Sequence, residues 1–146
     1  MKNIIVILGI SALMLLSGSA QARDTEHLLS IETALAQPAA KEKLTADIKY
    51  YFGDEAHPAV AKSFGVFATN KKTNAFGKSD EEACRWVFLS AMLQLQERAV
   101  ELGADAVINI KSNYKDQEFV SSSEYECGAG FLMAGVALKG EFVKLK

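Results

Sequence analysis

Between Ser79 and Ile110 the chain carries its most regular pattern of apolar and polar positions, SDEEACRWVFLSAMLQLQERAVELGADAVINI. Cys84, Val87, Phe88, Ala91, Leu95, Ala99 and Leu102 recur at three- and four-residue spacing and make one helical stripe. Glu97, Arg98 and Glu101 fall on the opposite, wet side. The ends are marked chemically. Ser79 and Glu82 have capping-box spacing, Asp80 and Glu81 complement the positive end of the helix dipole, and Gly103 supplies a left-handed stop. The pattern predicts a helix over 80–102. Gly103-Ala104-Asp105 leaves room only for a direct reversal, and Ala106 to Ile110 is an apolar run suited to a strand, so the two should pack on each other.

Elsewhere the periodicity is shorter. Leu28 to Gln37 predicts a short helix capped by Ser30 or Thr25. Pro38 to Leu44 predicts a second, with proline at the first position, where its missing amide does no harm. Ile48 to Phe52 and Val60 to Ala68 are expected strands, joined as a hairpin through the turn at 53–58, with Gly65 marking a bulge or a close backbone approach. Asn70 to Lys78 reads as a polar loop and Ser112 to Ser122 as a polar connection. Glu124 to Cys127 begins a strand that Gly128-Ala129-Gly130 should break, and Val136 to Leu145 alternates as a final strand. The expected fold is α+β: a small, mostly antiparallel sheet of four or five strands with one long helix packed on one face. Residues 23–146 form its single domain, a helical segment over 23–47 followed by a core over 48–146.

Residues 1–22 depart from this pattern. Lys2, an apolar run from Ile4 to Leu16 and small residues ending in Ala20-Gln21-Ala22 have the layout of a secretory signal peptide cleaved before Arg23. The apolar run is shorter than the ~20 residues a membrane span requires. No cysteine stands near the cleavage site, so lipid attachment there is excluded. The expected address is the periplasm, with secretion as the alternative, and no stable membrane insertion follows cleavage. Losing Lys2 with the leader takes the formal charge from -2 to -3. A mildly acidic chain lacks the basic footprint that nucleic acid requires.

Cys84 and Cys127 are the only cysteines, and in an exported chain a disulfide is the default for such a pair. Closing a loop of about 44 residues would stabilise the fold by roughly 4 kcal/mol. Two buried free thiols, or a redox or metal role, remain open at this point; the C-x-x-C spacing of redox motifs is absent. A zinc site needs about four converging donors. Its candidates are Cys84, Cys127 and His57 with a carboxylate from elsewhere, and zinc or copper is the cofactor that this alternative would take. His27 lies in a terminal segment.

Gly77-Lys78-Ser79 resembles the tail of a phosphate-binding loop, but Lys72 stands where a Walker A loop has its first glycine, and Asp80, Glu81 and Glu82 would repel a triphosphate. Lys71, Lys72 and Lys78 read as a solvated loop able to attract a small anion. Ser121-Ser122-Ser123 has no histidine and acid in motif spacing, so no catalytic residue is assigned. Gly128, Gly130 and Gly135 read as turns and bulges.

The helix ending E-R-A-x-E-L-G-A-D-A-V-I-N-I, followed by a polar hairpin, E-x-E-C and G-V-A-L-K-G, is similar to the YbjQ family of small bacterial domains, often described as heavy-metal-binding. The resemblance covers about residues 60–145. It implies the same α+β fold and, because some members form rings, a homo-oligomer. More distantly the chain resembles the RcsF envelope sensor, whose related domain is disulfide-bonded, but it lacks the lipid-attachment cysteine and has two cysteines where that domain has four. YYFGDEAHPAVAKSFG, NKKTNAFGKSDEEACRW and MAGVALKGEFVKLK also resemble short exported proteobacterial proteins commonly labelled excinuclease ATPase subunit. The residues do not support that label: the chain is short, exported and without a Walker A loop. The functional expectation is a non-enzymatic periplasmic binding or envelope-associated module whose partner is an envelope protein or a small ligand. The alternative is a metal-binding or redox protein using Cys84 and Cys127.

Overall fold

A computed structural model describes residues 22–146. The leader read in residues 1–22 therefore lies, apart from Ala22, outside the described residues. In chain order the elements are β1 (Thr25–Ser30), α1 (Ile31–Leu35), α2 (Pro38–Lys43), β2 (Lys49–Phe52), β3 (Val60–Asn74), α3 (Asp80–Leu102), β4 (Ala106–Ser112), a 3-10 turn (Tyr114–Asp116), β5 (Glu124–Ala129) and β6 (Met133–Leu145). The expected α+β class is the one observed, with six strands in a curled mixed sheet and α3 packed against it.

β6 is the spine of the sheet. β3 runs antiparallel along it from Asn74↔Met133 to Val60↔Leu145 and occupies one of its edges throughout. The other edge is shared: β5 pairs at Gly128↔Gly135 and Ala129↔Ala134, and β4 pairs from Ser112↔Leu138 to Ala106↔Val143. β1 then extends the sheet beyond β5, antiparallel, and β2 extends it beyond β4, parallel.

α3 begins and ends where the sequence signals it. The Ser79 hydroxyl accepts the Glu82 amide at 3.1 Å, and Gly103 closes the helix at φ +73°. Six of the seven stripe residues are buried and Leu102 is half-buried; Ala83, Leu89 and Met92 widen the buried face. This face meets the inward side chains of β5 and β6, namely Tyr125, Cys127 and Ala129 with Ala134, Val136, Leu138 and Phe142. Phe88 stacks on Tyr125 with ring centroids 4.1 Å apart, and Phe67 meets Phe142 edge-on at 5.4 Å. Cys84 of α3 and Cys127 of β5 reach disulfide distance, 2.05 Å between sulfurs, both fully buried.

Five local expectations are corrected. Thr25–Ser30, the first part of the segment read as helical, is a strand, because the open edge of β5 offers it six consecutive partners; Ser30 then caps a helix of only five residues. β2 and β3 do not form a hairpin: β2 lies parallel beside β4 and β3 lies beside β6. The polar stretch 70–74 continues β3, since pairing with β6 satisfies its backbone whatever its side chains. Gly128 does not break β5, which runs two residues further than expected, through Ala129, and ends at Gly130. With β1 included, the sheet has six strands where four or five were expected. The bulge at Gly65 is present, as a register shift between Ser63 and Gly65.

Candidate functional site

Strand alternation builds the candidate site. Tyr125, Cys127 and Ala129 face α3, so Gly128 faces the opposite side of the sheet, and the same parity turns Gly135 that way on β6. The paired glycines leave a bare floor, and Tyr114 lies on it. A Cβ at Gly128 would fall 2.0 Å from the Tyr114 hydroxyl oxygen, whereas one at Gly135 would sit 3.6 Å from the ring.

Tyr114 is held there by its neighbours. Lys115 and Asp116 both adopt left-handed backbone, φ 53° and 59°, which costs a non-glycine residue roughly 1 kcal/mol or more. The Tyr114 hydroxyl donates to Asp24 at 3.1 Å; Lys115 Nζ lies 2.6 Å from the same carboxylate and 5.3 Å from the Tyr114 ring centroid. Lys115 holds the Asp24 carboxyl below its usual range, and burial together with Asp24 pushes the Tyr114 phenol up.

On the α3 side of β1, Arg23 donates two hydrogen bonds to Asp80, 2.8 and 2.9 Å, and a third to the Gly130 carbonyl. His27 Nε2 lies 2.8 Å from Asp80 Oδ2. The bonds from Arg23 and then His27 hold the Asp80 carboxyl far below the usual carboxylate range. Asp80 opens α3, so one carboxylate ties the start of the described chain to the long helix and, through Arg23, to the β5–β6 turn.

These residues enclose a cleft of about 400 Å³ whose walls include Arg23, Asp24, Lys72, Tyr114 and the β5–β6 turn. Its rim is apolar. Phe131, Leu132 and Met133 are 68%, 59% and 48% exposed and Phe76 60%; the rings of Phe76 and Phe131 meet edge-on at 5.5 Å. The Ala75 amide donates to the Leu132 carbonyl at 2.8 Å, which fixes the loop after β3 beside the turn. Scattered exposed apolar residues are ordinary, but a contiguous group beside a cleft marks a contact surface.

Two other hollows are simpler. A trough of about 580 Å³ runs along α3 between Lys71 and Glu101, lined mainly by long polar side chains. A groove of about 370 Å³ separates α2 from α3, with Pro38 and half-exposed Trp86 in its walls. Neither combines strained backbone, a glycine floor and an apolar rim.

Of the residues singled out in the sequence, Cys84 and Cys127 come together in the core. His57 does not join them; it lies in the β2–β3 loop with Nδ1 against the Pro58 carbonyl and its ring near Tyr51. Among the described residues no group of three or more His, Cys, Asp and Glu side chains is placed to hold a metal ion. Lys72 joins the cleft wall, Lys78 donates to the Asn74 carbonyl, and Lys71 lies on the trough. The Ser121 hydroxyl accepts the Ser123 and Glu124 amides in a turn and bonds to the Ser123 hydroxyl. Sequence reading missed Arg23, Asp24, Asp80 as a clamp, and Tyr114. The sequence held no signal for them, because the floor under Tyr114 is made by glycines that share a face only through the pairing of β5 with β6.

Fold and site together define an α+β protein in which a long helix, joined by its cysteine to a curled sheet, leaves an apolar-rimmed cleft at one end. No protein-family model, no curated protein and no solved structure matches this chain.

Proposed function

We propose that the protein is an exported, non-enzymatic binding module that takes an apolar or amphipathic small ligand in the cleft at the β5–β6 turn. The observation that carries this reading is the glycine-floored cleft rimmed by exposed Phe131, Leu132 and Met133, with exposed Phe76 packed on Phe131. Export is supported by the leader-like residues 1–22 and the paired cysteines, and the periplasm is the compartment that suits both.

The polar groups of the cleft serve to hold its shape. Asp24 and Asp80 are each locked in ion pairs that keep them ionised well below neutrality, which removes them from the range where a general acid or base works. Lys115 is likewise committed to Asp24. The alternative, a metal or redox protein using Cys84 and Cys127, requires the bond between two fully buried sulfurs to be reduced and α3 to part from β5.

The test uses protein recovered from a periplasmic extract and the uncharged probe N-phenyl-1-naphthylamine, whose fluorescence rises on entering an apolar site. Gly135→Val fills the floor, since a Cβ there meets only ordinary contacts. The expected result is probe binding by the natural protein that weakens several-fold in Gly135→Val, with far-ultraviolet circular dichroism unchanged. Equal binding by both proteins, or none by the natural one, overturns the assignment.

A further inference from the structure

We infer that the apolar rim is a membrane-docking tip, and that Phe131, Leu132, Met133 and Phe76 enter the interfacial layer of an anionic bilayer. The inference rests on the proposal that this end of the molecule is its working end, but not on a ligand occupying the cleft. Two observations point the same way.

The first is shape. Phe131 and Leu132 occupy the β5–β6 turn, Met133 opens β6, and Phe76 is fixed beside them through the Ala75–Leu132 hydrogen bond. A stable protein interface draws on about 20–30 residues a side. This tip supplies only four large apolar side chains, so it is too small for a lasting dimer. Aromatic and aliphatic side chains on a projecting turn suit the boundary between headgroups and acyl chains. No helix among the described residues is long and apolar enough to cross a membrane, so the contact would be peripheral.

Charge is the second. Lys72 lies opposite Gly135 in the β3–β6 register and Lys78 follows Phe76 by two residues; both are exposed. Among the described residues neither pairs with a carboxylate, whereas the acids near this end have cationic partners: Asp24 and Glu26 share Lys115, Asp80 is held by Arg23 and His27, and Glu81 by Arg85. Glu82 lines the Trp86 groove instead. The unpaired charge flanking the tip is thus positive, which complements anionic lipid.

The full chain is expressed with its leader, and the protein recovered from a periplasmic extract is sedimented with vesicles of phosphatidylglycerol and phosphatidylcholine, or of phosphatidylcholine alone. Binding to the anionic vesicles is expected, weakening about fivefold for each lysine neutralised in Lys72→Gln and Lys78→Gln. The double variant Phe131→Ser with Leu132→Ser should melt as the natural protein does and no longer sediment. Gly135→Val should sediment normally while losing the naphthylamine probe, which separates membrane docking from cleft occupancy. Absence of sedimentation with anionic vesicles overturns the inference, as does undiminished binding by the double serine variant. A concentration-dependent dimer in vesicle-free solution that the serine variant loses also overturns it, in favour of a second copy on this surface. Probe binding without vesicle binding would leave the cleft assignment standing and remove the membrane.

Discussion

The Tyr125 hydroxyl is buried with no hydrogen-bond partner among the described residues, while its ring stacks on Phe88. Burial pushes the phenol well above its usual range. Leaving such a hydroxyl unpaired costs roughly 1–3 kcal/mol against solvent, so Tyr125→Phe keeps the stacking and sheds the penalty. Urea denaturation should find the variant at least as stable as the natural protein. A clear loss would mean that the hydroxyl has a partner. Gly128 is the opposite case, a residue defined by what cannot be added. A methyl 2.0 Å from the Tyr114 oxygen displaces that ring and its bond to Asp24. Gly128→Ala should cost about 1–3 kcal/mol, as overpacking does, and removing the ring as well in Gly128→Ala with Tyr114→Ala should recover part of the loss. Equal stability of the natural protein and Gly128→Ala by the same denaturation would show that Tyr114 does not rest on this floor. Nothing in the one-dimensional pattern distinguishes Gly128 from a turn glycine, because its requirement comes from a side chain on another element.

At the scale of elements, β1 is held by α3 as well as by β5. Asp80 accepts from Arg23 and lies against His27 on the strand while it opens the helix. Its carboxyl is depressed in the folded protein, so the stability it supplies is complete above the unfolded value near 3.9 and is lost as pH falls through that value toward the lower folded one. Asp80→Asn should therefore be less stable at neutral pH by about 1 kcal/mol, a modest figure because the pair is partly solvated. Thermal melts from pH 7 down to about pH 3 should show the two proteins converging in acid; a difference independent of pH would show that the charge of Asp80 does not supply the stability. The elements also show which local signals sufficed. The α3 cap, stripe and stop were legible because each depends on residues within one or two turns. Parallel pairing of β2 with β4 was not, because the hairpin alternative is equally satisfied by the same alternation and only the edge left open by β4 decides between them. Thr25–Ser30 became a strand for a similar reason: a short segment has little helix stability of its own, and the unpaired edge of β5 rewards extended backbone over its entire length.

In the whole molecule the bond between Cys84 and Cys127 joins the helix layer to the outer part of the sheet. Cys84→Ala, or reduction, should lower stability by roughly 4 kcal/mol with the fold retained, measured by urea denaturation with and without reductant. Metal uptake by the natural protein that disappears in Cys84→Ala, with stability little changed, would favour the metal alternative instead. The cysteine pair could be anticipated from the expectation of export and an even count, yet which faces would bury it followed from the α3 stripe and the parity of β5. From the chain alone came the α+β class, the long helix and its ends, most strand positions, and the leader-like start, because these are written in periodicity, caps and composition over short distances. Only the tertiary structure decided the spine role of β6, the sixth strand, the clamp at Asp80 and the cleft beside Tyr114. Each of these depends on groups far apart in sequence whose parity, open edges and charges become neighbours only when the sheet closes on α3.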